Sequence, residues 1–125
     1  MNISVIMPVR NEAPFIRRTL EQLLNQDYEA GHFEVIVVEG ASTDATPAIV
    51  REMQNNYPQL HLLTNSKRLS SAARNLGIRK ARGESILIVD GHCDVNRQDF
   101  LNQVAQAFYR SGAYCLGRRA HDMIR

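Results

Sequence analysis

Phe33-Glu34-Val35-Ile36-Val37-Val38 is almost unbroken in apolar, mostly β-branched residues, and Glu39-Gly40 closes it. A strand with one wet face would alternate apolar and polar residues. One covered on both faces reads as a continuous run, so this stretch predicts a parallel sheet with helices on each side. The flanking sequence repeats the theme. Before it, Ile3 to Val9 is a β-branched run that ends at a turn beside Pro8. From Ala13 the period changes: Ile16, Leu20, Leu23 and Leu24 fall three and four apart, giving a helix with Pro14 in its first turn. It ends at Asp27-Tyr28-Glu29-Ala30-Gly31.

After the central run, Ser42-Thr43-Asp44 is expected to start a helix that runs toward Asn56 and buries Ile49, Val50 and Met53. Leu60 to Leu63 is a third strand. Ser70-Ser71 precedes a helix carrying Ala72, Ala73, Leu76 and Ile78, with a glycine stop expected at Ala81-Arg82-Gly83. Ile86 to Val89 is a fourth strand. Phe100, Leu101, Val104, Ala107 and Phe108 form the stripe of a last helix that stops at Ser111-Gly112, and Tyr114 to Leu116 is a candidate fifth strand. Strand and helix alternate throughout, which is the pattern of an α/β domain built on a parallel sheet.

The 125 residues suffice for one domain with its own core, and 44% hydrophobic with 22% charged residues is ordinary globular composition. A net charge of +2 argues against a nucleic-acid partner. The densest basic run, Arg118-Arg119 to Arg125, reads as a solvated tail as readily as a binding site. Cys93 and Cys115 lack CxxC spacing, so neither zinc nor a redox pair is expected. Reduced thiols fit a cytoplasmic protein. No secretion signal opens the chain, and no stretch is long enough for a membrane span.

In open α/β sheets ligands bind beyond the carboxyl ends of the strands. Polar loops follow the apolar runs there: Pro8 to Glu12, Glu39 to Asp44, Asn65 to Arg68 and Asp90 to Asp94. No G-x-G-x-x-G and no P-loop occurs, so a nucleotide would be held by side chains and a metal rather than a glycine-rich cradle. Asp90, His92 and Asp94 alternate along one segment. Carboxylate oxygens suit Mg²⁺, and a carboxylate with an imidazole also suits Mn²⁺. The alternative is a surface turn in which Asp90 or Asp94 caps the next helix. Glu39 is placed to accept hydrogen bonds from a base or ribose, or is simply a solvated strand end. Ser42 and Asp44 read equally well as helix caps. Lys67 and Arg68 either meet phosphate or base or belong to a solvated loop. Arg74 points into the cleft or pairs with a neighbour. His121 beside Asp122 reads as a tail residue, and His32 and His61 suggest no chemistry.

Four motifs then combine. Ser4-Val5-Ile6-Met7-Pro8-Val9-Arg10-Asn11-Glu12, Val37-Val38-Glu39-Gly40-Ala41-Ser42-Thr43-Asp44-Ala45-Thr46, Ala73-Arg74-Asn75-Leu76-Gly77-Ile78 with Ala81-Arg82-Gly83-Glu84, and Asp90-Gly91-His92 in the place of a D-x-D motif resemble, in order and spacing, the amino-terminal part of an inverting family 2 glycosyltransferase. The Lys67-Arg68 loop and Val89 to Cys93 look most like the branch of succinoglycan-type exopolysaccharide glucosyltransferases. The resemblance implies a GT-A fold, a Rossmann-like three-layer sandwich with a mostly parallel sheet. Residues 1–125 would be its donor-nucleotide-binding part, apparently truncated.

It further implies transfer, with inversion, from a nucleotide-diphosphate sugar, UDP-linked, to a glycan or lipid-linked acceptor, in the cytoplasm or at the inner face of a membrane. Pro8, Val9, Arg10, Glu12, Glu39, Arg68 and Asp90 would line the nucleotide. Asp90 and His92 would hold Mn²⁺ or Mg²⁺. Gly40 stands where the family has a second acid, Glu39 is longer than the usual aspartate, and His92 brings no negative charge. In the family the catalytic base comes from a later segment. The expectation is a chain that binds donor and metal but lacks the base. The alternatives are a non-catalytic nucleotide- or partner-binding module, half of a split enzyme, or a nucleotidyltransferase, against which the missing glycine-rich opening counts. An uncovered edge at Tyr114-Cys115-Leu116 would favour self-association.

Overall fold

The computed structural model describes residues 2–66, 70–111 and 115–116. Its elements are β1 (Ile3–Val9), α1 (Ala13–Leu24), a 3-10 turn (Ala30–His32), β2 (Phe33–Glu39), α2 (Thr46–Gln54), β3 (Leu60–Thr64), α3 (Ser70–Lys80), β4 (Ser85–Ile88), α4 (Phe100–Ser111) and β5 (Cys115–Leu116). The strands form one sheet in the order β3-β2-β1-β4-β5, and every pair is parallel. Tyr114, expected in the last strand, lies outside the described residues, as do Lys67, Arg68, His121 and Asp122.

The central run is covered on both faces as its composition requires. Phe33, Val35 and Val37 face the main core, where β1 adds Ile3, Val5, Met7 and Val9 and the helices add Ile16, Leu20, Val50, Met53, Phe100, Val104 and Phe108. Helices α1, α2 and α4 therefore share one layer. On the other face Ile6, Ile36 and Val38 meet Ala73 of α3. The result is a three-layer α/β sandwich with β1 at its middle.

Helix α3 differs from its sequence reading in one respect. Ile78, placed on its apolar set, is exposed, and the buried position is Gly77. A Cβ there would stand 2.5 Å from Ile6 Cγ2, so the missing side chain lets α3 lie directly on β1. Gly83 likewise serves close approach. It has no left-handed φ, and a Cβ would fall 2.6 Å from Ser4 Oγ, which accepts the Gly83 N–H at 2.8 Å. No left-handed glycine cap ends the helix at Gly83.

Register then sets the site. Val9 pairs with Glu39 and Glu39 with Thr64, so β1, β2 and β3 end in one row. The Val89 N–H donates to Ile6 O at 3.0 Å and carries β4 toward the same edge. From β1 the chain crosses to β2 on one face; from β3 it crosses back to β4 on the other. The gap between β1 and β4 is thus the switch point where α/β sheets bind ligands.

Candidate functional site

The loops after β1 and β2 are laced into one unit. Asn11 adopts φ 53° and Ala41 φ 57°. Asparagine tolerates that left-handed conformation, and its short side chain can bond locally. Here the Asn11 N–H donates to Ser42 Oγ at 2.9 Å, and Asn11 Oδ1 accepts the Thr43 N–H at 2.8 Å. The Glu12 N–H donates to Thr46 Oγ1 at 2.9 Å. The Gly40 N–H donates to Val9 O at 2.9 Å, and the Asn65 N–H to Glu39 O at 2.8 Å, which ties in the loop after β3.

Asp44 is a clasp rather than the start of a helix. Its carboxylate accepts the Ala13 N–H at 3.2 Å, the Thr46 N–H at 3.0 Å and the Thr46 hydroxyl. The Thr46 hydroxyl, then the two amides, hold its carboxyl below the ordinary carboxylate value. Helix α2 accordingly begins at Thr46, not at Ser42. Ser42 is drawn back instead: its N–H donates to Glu39 Oε1. Glu39 is buried at 6% exposure, so one of its two oxygens is committed to shaping the loop.

Across the switch point the segment after β4 is seated by α1. The Cys93 N–H donates to Asp90 O at 3.1 Å and closes a turn. Cys93 O accepts the Thr19 hydroxyl at 2.9 Å. Asp94 turns onto the outer face of α1, where Arg18 and Gln22 reach it at 3.2 and 2.8 Å. Gln22 also accepts the Val95 N–H at 2.7 Å, and Gln26 accepts the Leu101 N–H at 3.0 Å. Asp94 is thereby occupied away from Asp90 and His92, and it caps nothing. Asp99 is held by Arg97 at 2.8–2.9 Å, which keeps its carboxyl below the ordinary value.

Gly91 is buried, with room for nothing larger. A Cβ would stand 2.6 Å from Val9 Cγ1 and 3.3 Å from Glu12 Cγ. The turn therefore rests directly on the end of β1, and His92 comes to lie over Glu12. Its Nδ1 is 3.3 Å from Glu12 Oε2, and its ring meets Phe15 edge-on with centroids 6.4 Å apart. The Asp90 carboxylate forms no hydrogen bond among the described residues.

Of the sequence-predicted site residues, Val9, Arg10, Glu12, Glu39, Asp90 and His92 converge on this edge. Pro8 lies within β1, paired with Val38. Arg68 lies outside the described residues, and Arg74 is exposed on α3. A cleft of about 330 Å³ between Thr64, Asn65, Ser66, Asn75 and Arg79 adjoins the loop after β3. Asn11, Thr19, Gln22 and Thr46 were not singled out from sequence. Only Asn11 carries a readable signal, an asparagine in the turn two residues past the end of β1.

Among the described residues, no three His, Cys, Asp or Glu side chains stand close enough to hold a metal ion. Asp90 and His92, a carboxylate and an imidazole, are ligand types that a divalent ion accepts, and an ion held there would need its remaining ligands from outside these side chains. No helix among the described residues is long and apolar enough to cross a membrane.

Known proteins share this architecture. A dolichyl N-acetyl-alpha-D-glucosaminyl phosphate 3-beta-D-2,3-diacetamido-2,3-dideoxy-beta-D-glucuronosyltransferase from Methanococcus voltae is 36% identical over 110 residues, 86% of this chain and 34% of that protein. The structure of Staphylococcus aureus TarS 1-349 in complex with UDP-GlcNAc superposes with a TM-score of 0.74 at 30% identity, covering 88% of this chain and 32% of that one. The mannosyltransferase PcManGT from Pyrobaculum calidifontis, in complex with GDP-Man and Mn²⁺, gives 0.77 at 37% identity, covering 82% and 31%. The chain thus spans about a third of the length of these relatives. The sheet is that of the GT-A fold, and the Glycosyl transferase family 2 model matches residues 4–124: the chain belongs to glycosyl transferase family 2.

Proposed function

We propose that this chain binds the nucleotide-diphosphate sugar, a UDP-sugar with Mn²⁺ or Mg²⁺, for an inverting transfer to a glycan or lipid-linked acceptor. The supporting observation is the convergence at the β1/β4 switch point. A hydrogen-bonded double loop (Asn11, Ser42, Thr43, Asp44, Thr46) there faces Asp90-Gly91-His92 across the end of β1. In this reading Val9, Arg10 and Glu12 flank the nucleotide and the buried Glu39 shapes the loop beneath the nucleoside. Asp90 and His92 hold the metal, whose chemistry is to neutralise the departing diphosphate.

The acceptor hydroxyl also needs a base. Asp94 is taken up by Arg18 and Gln22, and Asp99 by Arg97. We therefore assign neither as the base, and the 125-residue chain alone is expected to bind donor without steady-state transfer. The succinoglycan-type branch remains our finer placement, resting on the Lys67-Arg68 and Val89 to Cys93 segments. Calorimetric titration with UDP, with and without Mn²⁺, tests the reading. Saturable binding that strengthens with Mn²⁺ is expected, and no binding under either condition would reject it. Turnover of a UDP-sugar by this chain alone would reject the donor-only role.

A further inference from the structure

Among the described residues, one side-chain oxygen or nitrogen is both shielded from solvent and without a hydrogen bond: Glu12 Oε2. A buried carboxylate oxygen left unpaired is costly, and native structures rarely tolerate one without a use. Among the described residues its ionisable neighbour is His92 Nδ1, at 3.3 Å. That distance is within ion-pair reach, but the geometry is not that of a hydrogen bond. The His92 side chain is 59% exposed and Glu12 only 21%. The ring therefore has more room to turn than the carboxylate has. A Cβ on Gly91 would stand 3.3 Å from Glu12 Cγ, so the turn lies against Glu12 on one side, and Phe15 stands edge-on to the His92 ring on another. A modest rotation about the broad terminal torsion of His92 would complete the bond.

We propose that Glu12 is the positioning residue for His92. By accepting the Nδ1 proton it fixes the tautomer with Nε2 bare, and so presents Nε2 as a ligand beside Asp90. Histidines that bind metals almost always give their second ring N–H to a carboxylate or carbonyl in this way. A carboxylate in the place of His92 would need no such partner, because either oxygen can ligate. The half-buried Glu12, with its shielded Oε2, is thus the counterpart of having a histidine here. The metal-facing half of this role rests on the donor-binding reading above; the tautomer half does not.

Two measurements separate them. In the metal-free chain, long-range ¹H–¹⁵N correlation on the neutral His92 ring should show the Nδ1–H tautomer. Glu12→Ala should return the ring to the commoner Nε2–H form. Glu12→Gln, whose amide oxygen can still accept, should keep the Nδ1–H form and also shows that the fold survives a change at this site. A wild-type ring in the Nε2–H form, or a tautomer indifferent to Glu12→Ala, overturns the proposal. With UDP present, Mn²⁺ affinity should fall about 10–100-fold in Glu12→Ala. His92→Ala should fall as far, and the double variant no further. Additive losses would mean that Glu12 ligates the ion itself, which also overturns the positioning role. If the Nδ1–H tautomer is found but neither UDP nor Mn²⁺ binds the wild-type chain, the donor-binding reading and the metal-facing role fall together, and only the ring-orienting contact stands.

Discussion

A methyl group at Gly91 has nowhere to go. Its nearest neighbour, Val9 Cγ1 at 2.6 Å, belongs to a buried residue at the end of a central strand, so relief must come from lifting the Asp90–Cys93 turn. Overpacking of this kind typically costs about 1–3 kcal/mol. Gly91→Ala should therefore lower the urea unfolding midpoint without changing the slope, and should move His92 away from Glu12. Asn11 poses the complementary case, because it needs both its conformation and its side chain. Asn11→Ala loses the bond from Thr43 and places a Cβ-bearing residue with no local partner at φ 53°. The combined loss should be roughly 2–3 kcal/mol. Asn11→Gly should lose only the bond, about 1 kcal/mol, so the order wild type, Gly, Ala in urea midpoint checks the argument. Equal losses in the two variants would show that the left-handed backbone carries no strain there. The requirement at Gly91 was invisible in sequence, because it arises from a neighbour some eighty positions away.

The helices were legible because periodicity is local. The stripe Ile16, Leu20, Leu23, Leu24 is buried as its spacing demands, and so are Val50 and Met53 of α2. What spacing could not give is the polar face of α1 and of the turn that follows it. Thr19, Gln22 and Gln26 look like ordinary solvated positions, yet they bond Cys93, Asp94, Val95 and Leu101, more than seventy residues on. Helix α2 starts later than Ser42-Thr43-Asp44 suggests for a related reason. Asp44 has the chemistry of a cap, but it spends its oxygens on Ala13 of α1 as well as on Thr46, so the loop extends and the helix waits until Thr46. This clasp has a pH consequence. Because hydrogen bonds hold the Asp44 carboxyl below its ordinary 3.8, the tie is fully present above that value and is lost as pH falls through the depressed folded value. An acid titration followed by the Ala13 and Thr46 amide resonances should show both moving together below pH 3.8. Asp44→Asn should abolish that transition while leaving α1 and α2 helical. Amide shifts that move near or above the ordinary value would mean that the clasp is not formed.

For the whole molecule, one edge of the sheet gathers what the chemistry needs, and one helix, α1, joins its two halves. The loop before α1 is laced to the loop after β2, and the polar face of α1 seats the segment after β4. A ligand bound across the β1/β4 gap would therefore bridge two pieces that already share a support, and should stabilise the fold as a unit. The size of that effect follows from linkage. Binding to the native state at about 100 times Kd adds about 2.7 kcal/mol. For chains near this size that is a rise in Tm on the order of 5–20 °C. On the donor-binding proposal, UDP with Mn²⁺ should reach that range and each alone should give less, because Asp90 and His92 would need diphosphate oxygens to complete the coordination of an ion. Asp90→Asn should cancel the extra rise due to Mn²⁺ while keeping whatever UDP gives alone. Asp94→Asn, whose wild-type carboxylate is turned toward Arg18 and Gln22, should keep both. A thermal shift insensitive to Asp90→Asn but lost in Asp94→Asn would move the metal off the Asp90–His92 side of the turn and onto the face of α1.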